Sequence, residues 1–366
     1  MRWSGQQLDV DTSSTVATAL PGMARVRGFL RTVTTPEFSG IRFHEVAARS
    51  VLNKVPESSA MPFRFTVNPY RGCSHACVYC YARGTHQWLD LDTGAGFDNE
   101  VVVKVNAGEA LRHDLARPSW RAEHVALGTN TDPYQRAEGR YRLMPGIIGA
   151  LADAATPFSI LTKGTLLRRD LPLIAEAAGR VPVGLGVSLA IYDDALQQSL
   201  ESGTPSAAAR LALVKAVRAA GLPCGVMLAP VLPWLTDGVR DLDDALALLA
   251  DAGATGVTVL PLHLRPGAKE WFAGWLRAHR PDLVPRYAEL YGRGTYVSSQ
   301  YRAFLRERVT PLLRRHGFAA ESGVTAGRAG AGGVPGDPEG EFPFGSMPVA
   351  RAAETPAPRP EQGVIF

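Results

Sequence analysis

Apolar residues in this chain gather in short continuous runs separated by longer amphipathic stretches. The runs are Phe63–Val67, Val125–Gly128, Phe158–Thr162, Val183–Leu189, Gly225–Leu232 and Gly256–Leu262. Each is bounded by Gly, Pro or polar residues, the pattern of parallel strands buried on both faces. Between them, Ala107–Ala116, Pro145–Ala154, Leu171–Ala178, Ser206–Ala219 and Leu242–Ala252 read as helices. Ser206 and Asp241 are N-cap candidates, and Gly221 and Gly253 stand where helices stop. Six alternating βα units imply an α/β fold with a parallel sheet, curled as a partial barrel or lying open. In either arrangement the site forms at the C-terminal strand ends.

The flanks differ. Residues 1–60 carry breakers at Pro36–Gly40 and Pro56–Ser59 and read as an N-terminal extension packed on a core of residues 61–265. Residues 266–318 should add helices, Trp271–His279 and Gln300–His316, that close one end or side of the sheet. From 319 to 366 the chain is rich in Gly, Ala, Pro and Glu with few large apolar residues, the composition of a disordered tail.

Composition narrows the class. With 366 residues, 46% hydrophobic and 20% charged, the chain can bury a large core and has no apolar run of membrane-spanning length. Met1–Val10 lacks the basic start and apolar stretch of a signal peptide, so a cytoplasmic location is expected. A net charge of +4 is too small to demand a nucleic-acid partner. Only Lys54, Lys104, Lys163, Lys215 and Lys269 are lysines among many arginines.

Three of four cysteines stand in the stretch Asn68–Tyr81, in a C-x3-C-x2-C array of Cys73, Cys77 and Cys80. That is no disulfide framework. Spacings of two and three residues let three thiolates converge on one inorganic centre. On a four-iron cluster they leave one iron open for a small molecule. A structural zinc site would need a fourth ligand from His75, His86 or the distant Cys224, and that shortfall favours the open cluster. Cys224, in an apolar run, reads as core packing. His75 and His86 are left outside the ligand set.

The residues that follow each apolar run are polar and mixed. They are Gly128–Glu138, Thr162-Lys163-Gly164, Ser188, Ala229–Pro233 and Pro261–Pro266. A zwitterionic ligand needs such a mixture, an acceptor for its ammonium and a cation or hydroxyl for its carboxylate. Each also has a plainer reading: Asp132-Pro133 as a turn, Lys163 as a solvated strand end, Ser188 as a helix cap.

The C-x3-C-x2-C spacing, with Tyr79 before the last cysteine, resembles the signature of the radical S-adenosylmethionine (SAM) superfamily, whose fold is a partial (β/α)6 barrel. The resemblance implies a 4Fe-4S cluster on Cys73, Cys77 and Cys80 and S-adenosyl-L-methionine on its open iron. Reductive cleavage would yield a 5′-deoxyadenosyl radical that abstracts hydrogen from a substrate. Asn68–Cys73, Thr131–Gln135 and Ala229–Pro233 look like the spore-photoproduct-lyase-like branch. Within that branch, residues 1–317 are similar to an uncharacterised actinobacterial group. By that likeness Lys163 and Ser188 contact the cofactor, and Tyr79 and Tyr81 match a hydrogen-transfer relay. Tyr79, Asn130, Asp132 and Glu138 are further candidate cofactor contacts. The lyase pattern has a hydrogen-donating cysteine where this chain has Asn130, so thymine-dimer repair is not supported.

A reductant protein of flavodoxin or ferredoxin type is expected with such chemistry, and the lack of a membrane-spanning apolar run leads to an expectation of no membrane partner. The substrate stays open between nucleic acid, small molecule and peptide. A photoproduct-lyase-like repair enzyme and a non-catalytic Fe–S electron carrier or sensor are the alternatives.

Overall fold

The computed structural model describes residues 15–17, 28–56, 59 and 61–318. The expected tail, 319–366, and most of the first 27 residues lie outside them. Twelve strands are described: β1 (Thr15–Ala17), β2 (Phe29–Thr34), β3 (Arg42–Val46), β4 (Leu52–Lys54), β5 (Phe65–Val67), β6 (Tyr70–Arg71), β7 (Glu100–Lys104), β8 (Val125–Leu127), β9 (Phe158–Thr162), β10 (Val183–Ser188), β11 (Gly225–Val231) and β12 (Gly256–Pro261).

The six predicted runs form one sheet in chain order, β5-β8-β9-β10-β11-β12, every neighbouring pair parallel. β4 is added antiparallel to β5, and among the described strands β12 has no pairing that would close a barrel. The strands are almost wholly buried, as Val-, Ile- and Leu-rich parallel strands must be when both faces are covered. The helices Ala107–Leu115, Leu143–Asp153, Leu167–Arg180 and Ala207–Ala219 pack in succession along the sheet.

Ser206 caps its helix as expected, accepting from Ala209 N–H at 3.2 Å. Gly221 and Gly253 take the left-handed conformation just past their helices. Asp241 does not cap: the helix Val239–Asp251 starts two residues earlier, and Asp241 stands in its first turn, where a carboxylate suits the helix dipole. The helix expected from Leu171 begins at Leu167, so Pro172 lies inside it. A proline that close to the start forfeits a single backbone hydrogen bond, which the apolar face outweighs.

A second sheet, β1-β2-β3-β7-β6, was not read from the sequence beyond an expected packing of the N-terminal extension. Its central pairing, β3 with β7, is parallel and joins residues 58 apart in the chain, Arg42 with Glu100. Tyr70 and Arg71 form the edge strand β6, antiparallel to β7. The cysteine loop therefore leaves one sheet at Val67 and is caught by the other before Cys73.

On its far side the loop meets the link after the helix Asp194–Leu200. Val78 N–H donates to the Leu200 carbonyl at 2.9 Å, and Gly203 N–H to the His75 carbonyl at 3.1 Å. A Cβ on Gly203 would stand 2.0 Å from the Ser74 carbonyl oxygen. Backbone cannot yield as a flexible side chain does. Gly203→Ala should therefore lower unfolding stability by on the order of 1–3 kcal/mol in chemical denaturation. Gly149→Ala, in a helix with nothing within 4 Å of the added carbon, should raise it slightly.

Candidate functional site

An open cleft lies at the C-terminal ends of the parallel strands. Cys73, Cys77 and Cys80 line it together with Tyr79, Tyr81, Asn130, Asp132, Lys163 and Ser188. Met61, Phe63, Met227, Pro230, Leu260 and Pro261 supply an apolar wall. Of the site residues expected from the sequence, only Glu138 lies off the cleft.

All three cysteines are free thiols. Burial pushes the Cys80 thiol up to about 11, so a positive centre is what would let these sulfurs ionise. Among the described residues, no three Cys, His, Asp or Glu side chains are arranged to hold a single ion. Of the zinc-type fourth-ligand candidates, His86 and Cys224 lie off the cleft and His75 is engaged within it. His86 Nε2 is bonded to the Glu100 carbonyl at 3.0 Å. Cys224 precedes β11, at the opposite end of the sheet from the cleft. His75 is buried between Asp132, 3.3 Å away, and Cys73. Burial disfavours its charged form, but the Asp132 carboxylate and the Cys73 sulfur outweigh that and hold it up at about 10.

The loop has few internal hydrogen bonds, so buried side chains complete it. Arg83, wholly buried, donates to the Cys77 carbonyl at 2.8 and 3.1 Å, to the Gly94 carbonyl at 2.7 Å and to Asp98 at 2.9 Å. Its guanidinium also lies over Trp271, 5.1 Å from the ring centroid, which ties the C-terminal helix Ala268–His279 to the loop. Gln135, from the stretch after β8, accepts from Ser74 N–H at 2.9 Å and donates to the Gly72 carbonyl at 3.0 Å.

Asp132 lines the cleft with both oxygens engaged. They accept from Thr162 Oγ1 (2.5 Å), Lys163 N–H (2.6 Å) and Tyr134 N–H (2.9 Å), besides facing His75. Burial alone would raise its pKa, and these partners bring it below the usual carboxylate value. Asp132 thus joins the cysteine loop to the end of β9. Glu138 sits in the short helix Ala137–Tyr141 and faces the start of the helix Leu143–Asp153 instead of the cleft. There it accepts from Leu143 and Met144 N–H, each at 3.0 Å, from Tyr70 at 2.5 Å and from Arg169 at 2.9 Å. The unpaired N–H groups of a helix start draw a carboxylate in this way.

Lys163 Nζ reaches Glu201 Oε1 at 2.9 Å, Ser188 Oγ at 3.1 Å and the Tyr79 hydroxyl at 3.2 Å. The Tyr79 hydroxyl donates to the same Glu201 oxygen. Arg210, wholly buried, holds the other Glu201 oxygen at 2.7 Å and the Ser188 carbonyl at 3.1 Å. Burial would raise the Glu201 pKa, but Lys163 and Arg210 bring it far below the usual carboxylate range. Tyr81 points the other way: its hydroxyl donates to the Thr129 carbonyl and its ring lies 5.5 Å from His263.

Glu201, Arg210 and Arg83 are not marked as site residues by the sequence. Leu200–Pro205 looks like an ordinary polar link between helices, and Arg83 and Arg210 are two among many arginines. Their single signal would have been burial, which a sequence pattern does not carry for an isolated charge.

Comparison with known proteins places these features. The model of the Radical SAM superfamily matches residues 67–249. An uncharacterised protein of Mycobacterium tuberculosis is 60% identical over 321 residues, 88% of this chain and 94% of that one. An uncharacterised protein of Methanocaldococcus jannaschii is 25% identical over 201 residues, 54% of this chain and 71% of that one. Among solved structures, spore photoproduct lyase complexed with dinucleoside spore photoproduct superposes with a TM-score of 0.56 at 17% identity, over 75% of this chain and 79% of that one. At that identity the likeness establishes the fold alone. The family match, spanning half of the chain, shows that this protein belongs to the radical SAM superfamily and is an enzyme of that class.

Proposed function

We propose that Cys73, Cys77 and Cys80 hold a 4Fe-4S cluster in this cleft and that S-adenosylmethionine binds beside it. The observation that carries the proposal is three free thiols on one wall of a cleft that Lys163 and Ser188 also enter. Family membership implies the cluster and the cofactor, and a spore photoproduct lyase variant of the same fold has a structure with bound AdoMet. When bound, the pair supplies one-electron cleavage of the sulfonium to a 5′-deoxyadenosyl radical that takes hydrogen from a substrate.

The chain's own residues bind, orient and exclude water. Lys163 and Ser188 offer a cation and a hydroxyl to a carboxylate end. Asp132, saturated by four donors, holds the loop and β9 together and leaves ligand contact to its neighbour Asn130. Tyr81 and Tyr79 face different parts of the site: the Tyr81 hydroxyl meets Thr129 next to Asn130, while that of Tyr79 turns to Glu201. The apolar wall keeps a reactive radical from water. Residues 61–265 form the proposed catalytic core, with 266–318 closing the cluster side through Trp271. An electron donor of flavodoxin or ferredoxin type completes the proposed system.

The solved neighbour is complexed with a dinucleoside spore photoproduct, which favours a nucleic-acid substrate as the second reading. Against lyase-type repair, no thiol outside the triad lines the cleft among the described residues, and Cys224 is remote from it. A pure electron carrier would not need a large cleft beside its cluster.

Cys73→Ala, Cys77→Ala and Cys80→Ala should each abolish 5′-deoxyadenosine formation by anaerobically reconstituted, reduced protein. Full cleavage by any of them would refute the ligand assignment. Cys224→Ala should keep the cluster's absorption spectrum and iron content unchanged. If wild-type protein with an intact reduced cluster gives no 5′-deoxyadenosine, the electron-carrier reading replaces this one. Deuterium passing between labelled cofactor and candidate metabolites, peptides or nucleic acid would name the substrate.

A further inference from the structure

The corner of the cleft that holds Lys163 is built around a carboxylate. Glu201 is wholly buried and joins two cations, Lys163 at 2.9 Å and Arg210 at 2.7 Å. An ammonium has three donors. Those of Lys163 are directed at Glu201, Ser188 and Tyr79, so its position is set on all three sides. The second Glu201 oxygen is taken by Arg210 and, at 3.2 Å, by Thr204, and Arg210 in turn holds the Ser188 carbonyl. The backbone on either side of Glu201 is bonded to the cysteine loop, Leu200 to Val78 and Gly203 to His75. One side chain thus links the loop to the two residues that face the cleft.

Two cations and one carboxylate leave a net positive charge in this corner. Arg210 is fully shielded, while the Lys163 side chain keeps 14% of its exposure, so the excess charge is felt in the cleft. We propose that Glu201 is a positioning residue, which fixes Lys163 and Ser188 as one preformed anion site for the carboxylate end of S-adenosylmethionine: Lys163, its three N–H groups engaged, contributes its charge, and Ser188, which accepts from Lys163, keeps its O–H to donate. Its own oxygens stay turned to Lys163, Tyr79, Arg210 and Thr204, and it acts through Lys163. The proposal rests on the reading that this cleft takes that cofactor.

The test measures binding, without turnover. Anaerobically reconstituted full-length protein, its cluster left oxidised, is titrated with radiolabelled S-adenosylmethionine by equilibrium dialysis, and iron and sulfide are counted in every sample. Glu201→Gln and Lys163→Met should each weaken binding about tenfold, the scale of one hydrogen bond to a charged group. The double variant should lose no more than either single one, because both changes disable the same site. Iron content should stay at the wild-type level in all three.

A purely structural Glu201 predicts another pattern. The Glu201→Gln/Arg210→Met variant removes both members of the buried pair and leaves no uncompensated charge beyond Lys163. If Glu201 served only as counterion to Arg210, this variant would regain wild-type affinity, and that result would overturn the proposal. So would Glu201→Gln binding as tightly as wild type, or losses that multiply to about a hundredfold in the Glu201→Gln/Lys163→Met variant. Binding by Glu201→Gln/Arg210→Met that is weaker than by Arg210→Met alone, which measures the loss of the Ser188 carbonyl contact, supports it when iron content is full. Failure of the wild type to bind at all would bring down the cofactor reading and the inference together, an outcome distinct from those three.

Discussion

A loop carrying three thiols within eight positions has no regular ladder to satisfy its own backbone, and buried N–H and C=O groups must be satisfied somewhere. In this protein they are met from outside. Gly72 and Ser74 bond to Gln135, Cys73 to the Phe97 carbonyl, His75 to Gly203, Cys77 to Arg83, and Val78 to Leu200. Those partners come from four separate stretches of chain. The rest of the structure can be understood as what brings them to one place.

Two sheets do that work. The parallel sheet sets the strand ends side by side, so that Asn130, Lys163 and Ser188 meet although they are far apart in sequence. The smaller sheet takes Tyr70 and Arg71 into an edge strand and fixes where the loop begins. Arg83 links the short helix Ala95–Asn99, which leads into β7, to the C-terminal helix Ala268–His279 by standing over both Phe97 and Trp271. A cation so enclosed is tolerated because the Asp98 carboxylate and three backbone carbonyls surround it. Charge is therefore used in the interior for position, with each buried arginine matched to a carboxylate and to carbonyl oxygens. The cleft itself is left mainly apolar, with Lys163 as its directed cation.

The two tyrosines that flank Cys80 look equivalent in sequence and are not equivalent in space. Residues two apart project to different sides of an irregular loop, and here one hydroxyl enters an ion-paired cluster while the other meets a neutral carbonyl. A hydrogen bond to a buried carboxylate is strong and directional, and it commits the Tyr79 hydroxyl. Tyr81 is bonded to a backbone carbonyl and borders the aromatic pair His263 and Tyr296.

What the sequence determined by itself were the features that repeat or sit close together. Six apolar runs with amphipathic segments between them specified a parallel sheet, because burial on both faces leaves an unbroken apolar signature. Cysteine spacing marked the loop, and strand ends marked Lys163, Ser188 and Asp132. Tertiary structure decided what depended on distance in the chain. The pairing of β3 with β7 and the meeting of Glu201 with Lys163 and Tyr79 are contacts between residues 38 to 122 positions apart. The turning of Glu138 away from the cleft came from a local competition, settled by unpaired N–H groups at a neighbouring helix start. Periodicity reports which face of an element is buried. It does not report which charge a buried charge will find.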